Sequence, residues 1–321
     1  MAAIGPNANM LSVVEVQPGI RPKIVAAQQF TQFLPFIPEE GISMTYLWGE
    51  SAAGSGNNPI EPAIAINTSG SGSSDQTITA PVAGVFPMSV FVTRVSESRW
   101  AEAMITEPED ALSSEMVIAR RRLEDAFAQA SCGFVPTTNA FDPIFEILGG
   151  WNGGPQILNV DADPDAPALT LSMFRQGAAL VTAGLGRPDV ALVNSEVYGM
   201  LEDLCDTATK TPKYRTVVTP EGDELQALEI AGIVVLRNDW IPKVLSDPFS
   251  NWTSQIIFLS LGPGLVHAIT KPHRMDRLVA DLAPITTETD ITRMPSLIAG
   301  IAIGTMSAAS VLTGFAVSTG P

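Results

Sequence analysis

Charge is scarce in this chain, and positive charge scarcer still. Only 16% of the 321 residues are charged, and 18 Lys plus Arg against 34 Asp plus Glu leave a net charge of -16. Gripping nucleic acid needs clustered cations to neutralise phosphates, so this balance disfavours a protein that wraps DNA or RNA and suits a wall better. Cysteine is nearly absent. Cys132 and Cys205, far apart in sequence, exclude a disulfide framework and predict reduced thiols in a cytosolic setting. The first twenty residues lack a basic segment followed by a continuous apolar run, which argues against export through a signal peptide.

Catalytic patterns are missing too. His267 and His273 are the only histidines. In one extended strand they would share a face, but they lack cysteine or carboxylate partners at metal-binding spacing, so a structural role is expected. The chain has no G-x-S-x-G elbow, no G-x-x-x-x-G-K phosphate loop and no G-x-G-x-x-G after a strand. Gly262 and Gly264 join strands, and the run 69–74 lacks a helix that would supply a phosphate-binding end. Adjacent carboxylates such as Glu202 and Asp203 are expected to face solvent. Neither an enzyme, a cofactor nor a metal site is therefore expected.

What the chain has instead is apolar mass. Hydrophobic residues reach 45% and mean hydropathy is positive, which specifies a folded protein. The surplus apolar surface is accounted for by burial between subunits or, equally, by a large core. Residues 295–321 carry no charge from Pro295 to Pro321, and Gly300 and Gly304 match the spacing of packed membrane helices. Recurrent glycine, serine and threonine and the lack of flanking basic clusters favour buried strands over a membrane anchor.

The chain is organised around one helix, predicted over 106–133. Thr106 and Glu109 form a capping box, Pro108 sits in the first turn, and Gly133 stops the helix. Leu112, Met116, Ala119, Leu123, Ala126, Phe127 and Ala130 recur at helical steps, while Arg120 with Glu124 and Arg121 with Asp125 are spaced to pair on the other side. About 26 residues at ~1.5 Å each give a rod of about 39 Å, a spine for a domain. Arg120, Arg121 and Arg122 form the sharpest charge run, suited to a solvated face, a subunit contact or packaged nucleic acid.

Before this helix, prolines at 6, 18, 22, 35 and 38 make residues 1–38 an extended arm, with a short helix possible within 24–33. Residues 41–50 alternate as a strand with Ile42, Met44, Tyr46 and Trp48 on one side and Glu50 at its end. Soft Gly/Ser/Asn tracts at 51–58 and 68–75 flank an alternating piece bearing Ile60, Ile64 and Ile66, and a long strand returns through Val82, Val85, Met88, Val90 and Val92. Residues 41–96 thus read as a large β-hairpin. A two-stranded ribbon is marginal in water, so its support must come from packing on something else, such as a neighbouring chain.

After the helix, 134–167 is expected to be loop-rich. A second amphipathic helix is predicted over 169–185 with Phe174, Ala178, Val181 and Leu185 inward, then a buried strand at 190–193 and a helix capped by Ser195. A polar loop over 207–222 carries Lys210, Lys213 and Arg215. Strands follow at 228–236, 256–261 and 265–270, giving an α+β mixture with no repeating βαβ unit.

This order resembles the tailed-bacteriophage major capsid protein family, the Johnson fold, across nearly the whole chain. Local pieces agree: Val190-Ala-Leu-Val-Asn-Ser-Glu-Val-Tyr followed by Leu201 resembles a strand-to-helix segment common in that family, and Ala231-Gly-Ile-Val-Val-Leu-Arg-Asn-Asp-Trp-Ile-Pro resembles the strand and turn that follow it. The resemblance implies an amino-terminal arm (1–38), an extended β-hairpin loop (39–96), a peripheral domain (97–165 and 266–294) holding spine helix 107–132, and an axial domain (166–265 and 295–321). It implies a structural protein that forms pentamers and hexamers of an icosahedral shell around double-stranded DNA, assembled in the host cytoplasm and located in the virion capsid. Partners would be further copies of itself, a portal protein, a scaffolding protein and a decoration protein, with weak contact to packaged DNA and no membrane. Subunit-interface candidates are Tyr46, Trp48, Glu50, Ile60, Ile64, Arg120, Arg121, Arg122, Lys210, Lys213 and Arg215. No lysine occurs between Lys23 and Lys210, so the extended loop lacks the lysine needed for the covalent crosslink of some members. The arm starts almost at Met1, which leads us to expect a separate scaffolding protein. An encapsulin, which shares the fold but encloses an enzyme, is the nearest rival; a soluble enzyme with an unrecognised site is remote.

Overall fold

A computed structural model of the chain describes residues 29–48, 82–98, 119, 122–133, 140–150, 154–160, 166–209, 212–218, 224–245, 251–271, 279–286 and 290–319. Two large sheets dominate it, together with a separate two-stranded ribbon.

The ribbon comes first. After the short helix α1 (Gln29–Phe33) and strand β1 (Phe36–Pro38), β2 (Ser43–Trp48) pairs antiparallel with β3 (Val82–Pro87), Ser43 opposite Pro87 and Trp48 opposite Val82. This is the root of the expected hairpin; its tip lies outside the described residues. The returning strand is shorter than the alternation suggested, because β4 (Ser89–Val92) and β5 (Val95–Ser98) leave the ribbon and pair with a distant strand, β15 (Asp290–Ile303).

That strand is the centre of the six-stranded sheet. Ala299 pairs with Ser89 of β4 and with Thr270 of β13 (Val266–Thr270), while Leu297 pairs with Phe91 of β4 and with Val279 of β14 (Val279–Thr286). A strand has two edges, so β13 and β14 must follow one another along one edge of β15, with β4 and β5 along the other. β1 adds parallel to β13.

Helix α2 (residues 122–132) packs on this sheet and ends at Gly133, whose N–H reaches the Gln129 carbonyl. Its apolar stripe faces inward as the spacing predicts: the helical Ala119, Leu123, Phe127 and Ala130 are all buried. Phe127 sits in an aromatic cluster, 5.9 Å from Phe36 of β1, 6.3 Å from Phe91 of β4 and 5.6 Å from Phe141. The amino-terminal signals Thr106, Pro108 and Glu109, with Arg120 and Arg121, fall outside the described residues.

The segment expected to be loop contains helix α3 (Ile144–Gly150) and strand β6 (Ile157–Asn159). Helix α4 (Leu171–Ala179) is capped by Thr170, whose hydroxyl accepts the Met173 N–H, and it is shorter than predicted. The chain turns through Gly184 and Gly186 at positive φ, and Leu185, expected inside, is 81% exposed. Strand β7 (Val190–Val193) leads into α5 (Ser195–Thr209). The cap is Asn194, not Ser195: its Oδ1 accepts the Val197 N–H at 2.9 Å, while Ser195 bonds instead to Asp239.

The expected polar loop after α5 holds strand β8 (Tyr214–Val218), paired with β9 (Glu224–Ile230). The run 228–236, read as one strand, divides into β9 and β10 (Ile233–Arg237) at a two-residue turn where Ala231 and Gly232 both take positive φ. With β11 (Val244–Leu245), β12 (Asn251–Leu259) and β16 (Ala309–Thr319), these build the eight-stranded sheet, ordered β6-β16-β12-β7-β10-β9-β8, with β11 beside β12.

Both faces of the sheet's centre are buried, which explains its unbroken apolar strands. Val190, Leu192, Val234, Leu236, Ile257 and Leu259 face the core shared with α2, α3 and the six-stranded sheet. Their neighbours Ala191, Val193, Val235, Ile256 and Phe258 face Phe174 of α4 and Tyr198 and Leu201 of α5. The uncharged closing stretch provides buried strands, as expected, in β15 and β16. No described helix is long and apolar enough to cross a membrane.

Candidate assembly surfaces

The ribbon root is anchored across the outer face of the six-stranded sheet. Strand alternation turns Leu297, Ala299, Ile301 and Ile303 of β15 to one face and Ile298, Gly300 and Ala302 to the other, where His267 on β13 stands opposite the buried Ala302. Tyr46 and Met44 of β2 come down on that face from one side of their strand. The Tyr46 hydroxyl lies 3.2 Å from His267 Nε2, the Met44 sulfur 3.4 Å from the same nitrogen, and the Tyr46 ring meets the imidazole edge-on at 5.8 Å. His267 Nδ1 faces the Leu265 carbonyl at 3.3 Å. The imidazole is fully buried, and desolvation lowers its pKa from the ordinary value. Burial, then nearby Glu39, raises that of Tyr46. His267 is therefore a packed wedge under the ribbon; His273 lies outside the described residues.

The crossing needs glycine at position 300. A Cβ there would lie 2.3 Å from the Pro87 carbonyl oxygen, so only a residue without one lets the ribbon's end pass over β15. Beyond the crossing, Val90 and Val92 of β4, opposite Ile298 and Ser296, are 61% and 46% exposed on this face; Val85, on the side of β3 turned away from the sheet, and Ile42 are exposed as well.

Helix α2 joins the two sheets by its carboxyl end. The buried Cys132 sulfur accepts from Asn238 Nδ2 at 3.1 Å, and Gln255 Nε2 donates to the Cys132 carbonyl at 3.0 Å. Burial raises the Cys132 thiol pKa well above its usual range, so it is no nucleophile. Cys132 and Cys205 are both buried thiols. Among the described residues no cluster of His, Cys, Asp or Glu could hold a metal ion.

The sequence-derived interface residues are distributed over these surfaces. Tyr46 serves the ribbon root within its own chain. Trp48 lies at the far end of β2, paired with Val82. Arg122 is exposed on α2, and Lys213, just before β8, and Arg215, on it, are exposed at the outermost strand of the eight-stranded sheet. Glu50, Ile60, Ile64, Arg120, Arg121 and Lys210 lie outside the described residues. His267, Gly300, Val90 and Val92 emerge only in three dimensions; the alternation of β4 hinted at the valines, but nothing in the sequence places the ribbon over β15.

Neither a protein-family model nor a curated protein sequence matches the chain. By fold it is similar to solved structures over most of its length. It matches a chain of the holo-SrpI encapsulin complex from Synechococcus elongatus PCC 7942 with a TM-score of 0.64 and 11% identity, covering 96% of each chain. It matches a chain of the Cyanophage Pam1 capsid asymmetric unit with a TM-score of 0.52 and 12% identity, over 88% of this chain and 89% of that one. A chain of Gordonia phage Cozz gives 0.51 at 12% identity, over 90% and 86%. At such identities the likeness is one of architecture, and the α+β chain described above carries the Johnson fold that phage capsid proteins and encapsulins share.

Proposed function

We propose that this chain is the shell subunit of an icosahedral particle, a major capsid protein of a tailed phage that assembles as pentamers and hexamers around double-stranded DNA. The observation that carries the reading is the Johnson fold matched end to end, from ribbon root to β16, by chains that build shells. The open aliphatic face at Val90 and Val92 and the low charge content support it, since both leave apolar surface that repeated subunit contacts would cover. The protein then acts by assembly rather than catalysis.

In this reading the six-stranded sheet with α2 forms the peripheral domain and the eight-stranded sheet with α4 and α5 the axial domain. That division assigns β15 to the peripheral domain and only β16 to the axial one. Residues 1–38 act as an arm and the ribbon continues as an extended loop, both lying on neighbouring copies. Scaffolding, portal and decoration proteins complete the particle, which assembles in the host cytoplasm and becomes the virion capsid. The acidic balance limits sticking between shell and DNA.

A second reading, an encapsulin-type compartment around a cargo enzyme, is favoured by the 0.64 TM-score to the SrpI complex. Sequencing nucleic acid recovered from nuclease-treated particles separates the two: genome-length DNA supports the phage shell, and protein cargo without DNA supports the compartment. Deleting residues 51–75 should leave a folded subunit that fails to assemble, and normal shells from that deletion would remove the role given to the loop.

A further inference from the structure

The eight-stranded sheet carries opposite charge at its two lateral edges, on the same face. Along β8 the side chains alternate. Tyr214 reaches Glu202 of α5, so Lys213 and Arg215 point to the opposite face, where Val217 packs against the core shared with α2 and α3. Both cations are exposed. At the other edge, α3 lies beside β6, with Ile144 and Leu148 in that same core, and Glu146 together with Asp142 just before the helix is exposed. Seven strands at ~4.8 Å spacing separate these edges by about 29 Å.

We infer that the two edges are the complementary halves of one head-to-tail contact between copies, Lys213 and Arg215 of one subunit meeting Asp142 and Glu146 of the next. The inference rests on the shell reading and names the surfaces that would close its rings. A two-fold contact of β8 with itself would bring the cations of two copies together and be repulsive, whereas a heterologous contact pairs opposite charges at each repeat and closes a ring. The acidic residues Glu202, Asp203 and Asp206 belong to α5, on the far face of the sheet; Glu229 of β9 shares the face of Lys213 but lies one strand inboard of it, so the cations stand at the rim nearest the neighbour. The outer edge of β8 has no strand partner among the described residues, which leaves its backbone open to the same neighbour. Such rim charges set register and encounter rate and are screened over about 8 Å at physiological salt, so the contact should weaken as salt rises.

The test uses the full chain in four forms: wild type, K213E/R215E, D142K/E146K and the fourfold variant, each assembled at low and high salt and counted as rings and shells by electron microscopy. Each double variant should lose at least about tenfold in yield at low salt, and the fourfold variant should recover to within about threefold of wild type, as expected when both halves of a charge pair are exchanged. Wild-type yields from the double variants, or no recovery in the fourfold variant, overturn the contact while leaving the shell reading intact. Loss of bound DNA with unchanged shell yield in K213E/R215E also overturns it, by turning the cations toward the packaged nucleic acid. A wild-type chain that never forms particles overturns both.

Discussion

Phe127 is where the spine helix is held, so its truncation should be costly and its cost divisible among named partners. The ring is fully buried and touches Phe36, Phe91 and Phe141, which belong to β1, to β4 and to the segment leading into α3. Truncating a buried phenylalanine to alanine costs about 3–5 kcal/mol through lost transfer energy and the cavity left behind. The Phe91 ring meets Phe127 edge-to-face at 80°, and such a pair adds about 0.5–1.5 kcal/mol beyond area, which places Phe127→Ala at the upper end, about 4–5 kcal/mol. Phe127→Leu, which keeps most of the volume, should lose about 2 kcal/mol or less. The assay is guanidinium unfolding of the unassembled subunit followed by tryptophan fluorescence, with a double-mutant cycle against Phe91→Ala. A coupling of about 0.5–1.5 kcal/mol is expected. Loss below about 2 kcal/mol for Phe127→Ala, or coupling below about 0.3 kcal/mol, would mean that the helix does not rest on the six-stranded sheet through this cluster.

Two further expectations concern the ribbon. Gly300→Ala sets a Cβ against the Pro87 carbonyl and should cost about 1–3 kcal/mol while raising hydrogen exchange in β3 and β4; an unchanged unfolding midpoint would refute the close crossing. His267 has a folded pKa below its ordinary value of about 6.5, so the unfolded chain takes up the proton first and stability contributed by the neutral ring is lost as pH falls through that value. Between about pH 7.5 and about pH 5.5 the amides of β2 should exchange faster, and His267→Gln should flatten that dependence; an identical pH profile in the variant would show that the imidazole does not hold the ribbon.

Sequence patterns disclosed the periodic parts of this fold and missed the exposed or interrupted ones. Leu123, Phe127 and Ala130 announced the buried stripe of α2, and Val190–Val193 announced a doubly buried strand, because periodicity reports burial directly. Strand β8 was invisible for the opposite reason: Lys213, Tyr214, Arg215 and Thr216 are all exposed at a sheet edge, so no apolar alternation marks them. The turn at Ala231 and Gly232 hid inside an apolar run, since alanine rarely adopts positive φ and carries no turn signal. Asn194 rather than Ser195 caps α5, a one-residue ambiguity that composition cannot settle when both residues are good caps. The wedge of His267 under Tyr46 joins positions 221 residues apart, a contact that only the path of the chain determines.

Whether this chain builds closed shells is decided by cryo-electron microscopy of the purified protein, with and without a co-expressed scaffolding protein. Closed icosahedral particles with the two sheets of each subunit arranged around five-fold and six-fold positions are the expected result. A stable monomer or dimer under every condition, with scaffolding protein present, would contradict it.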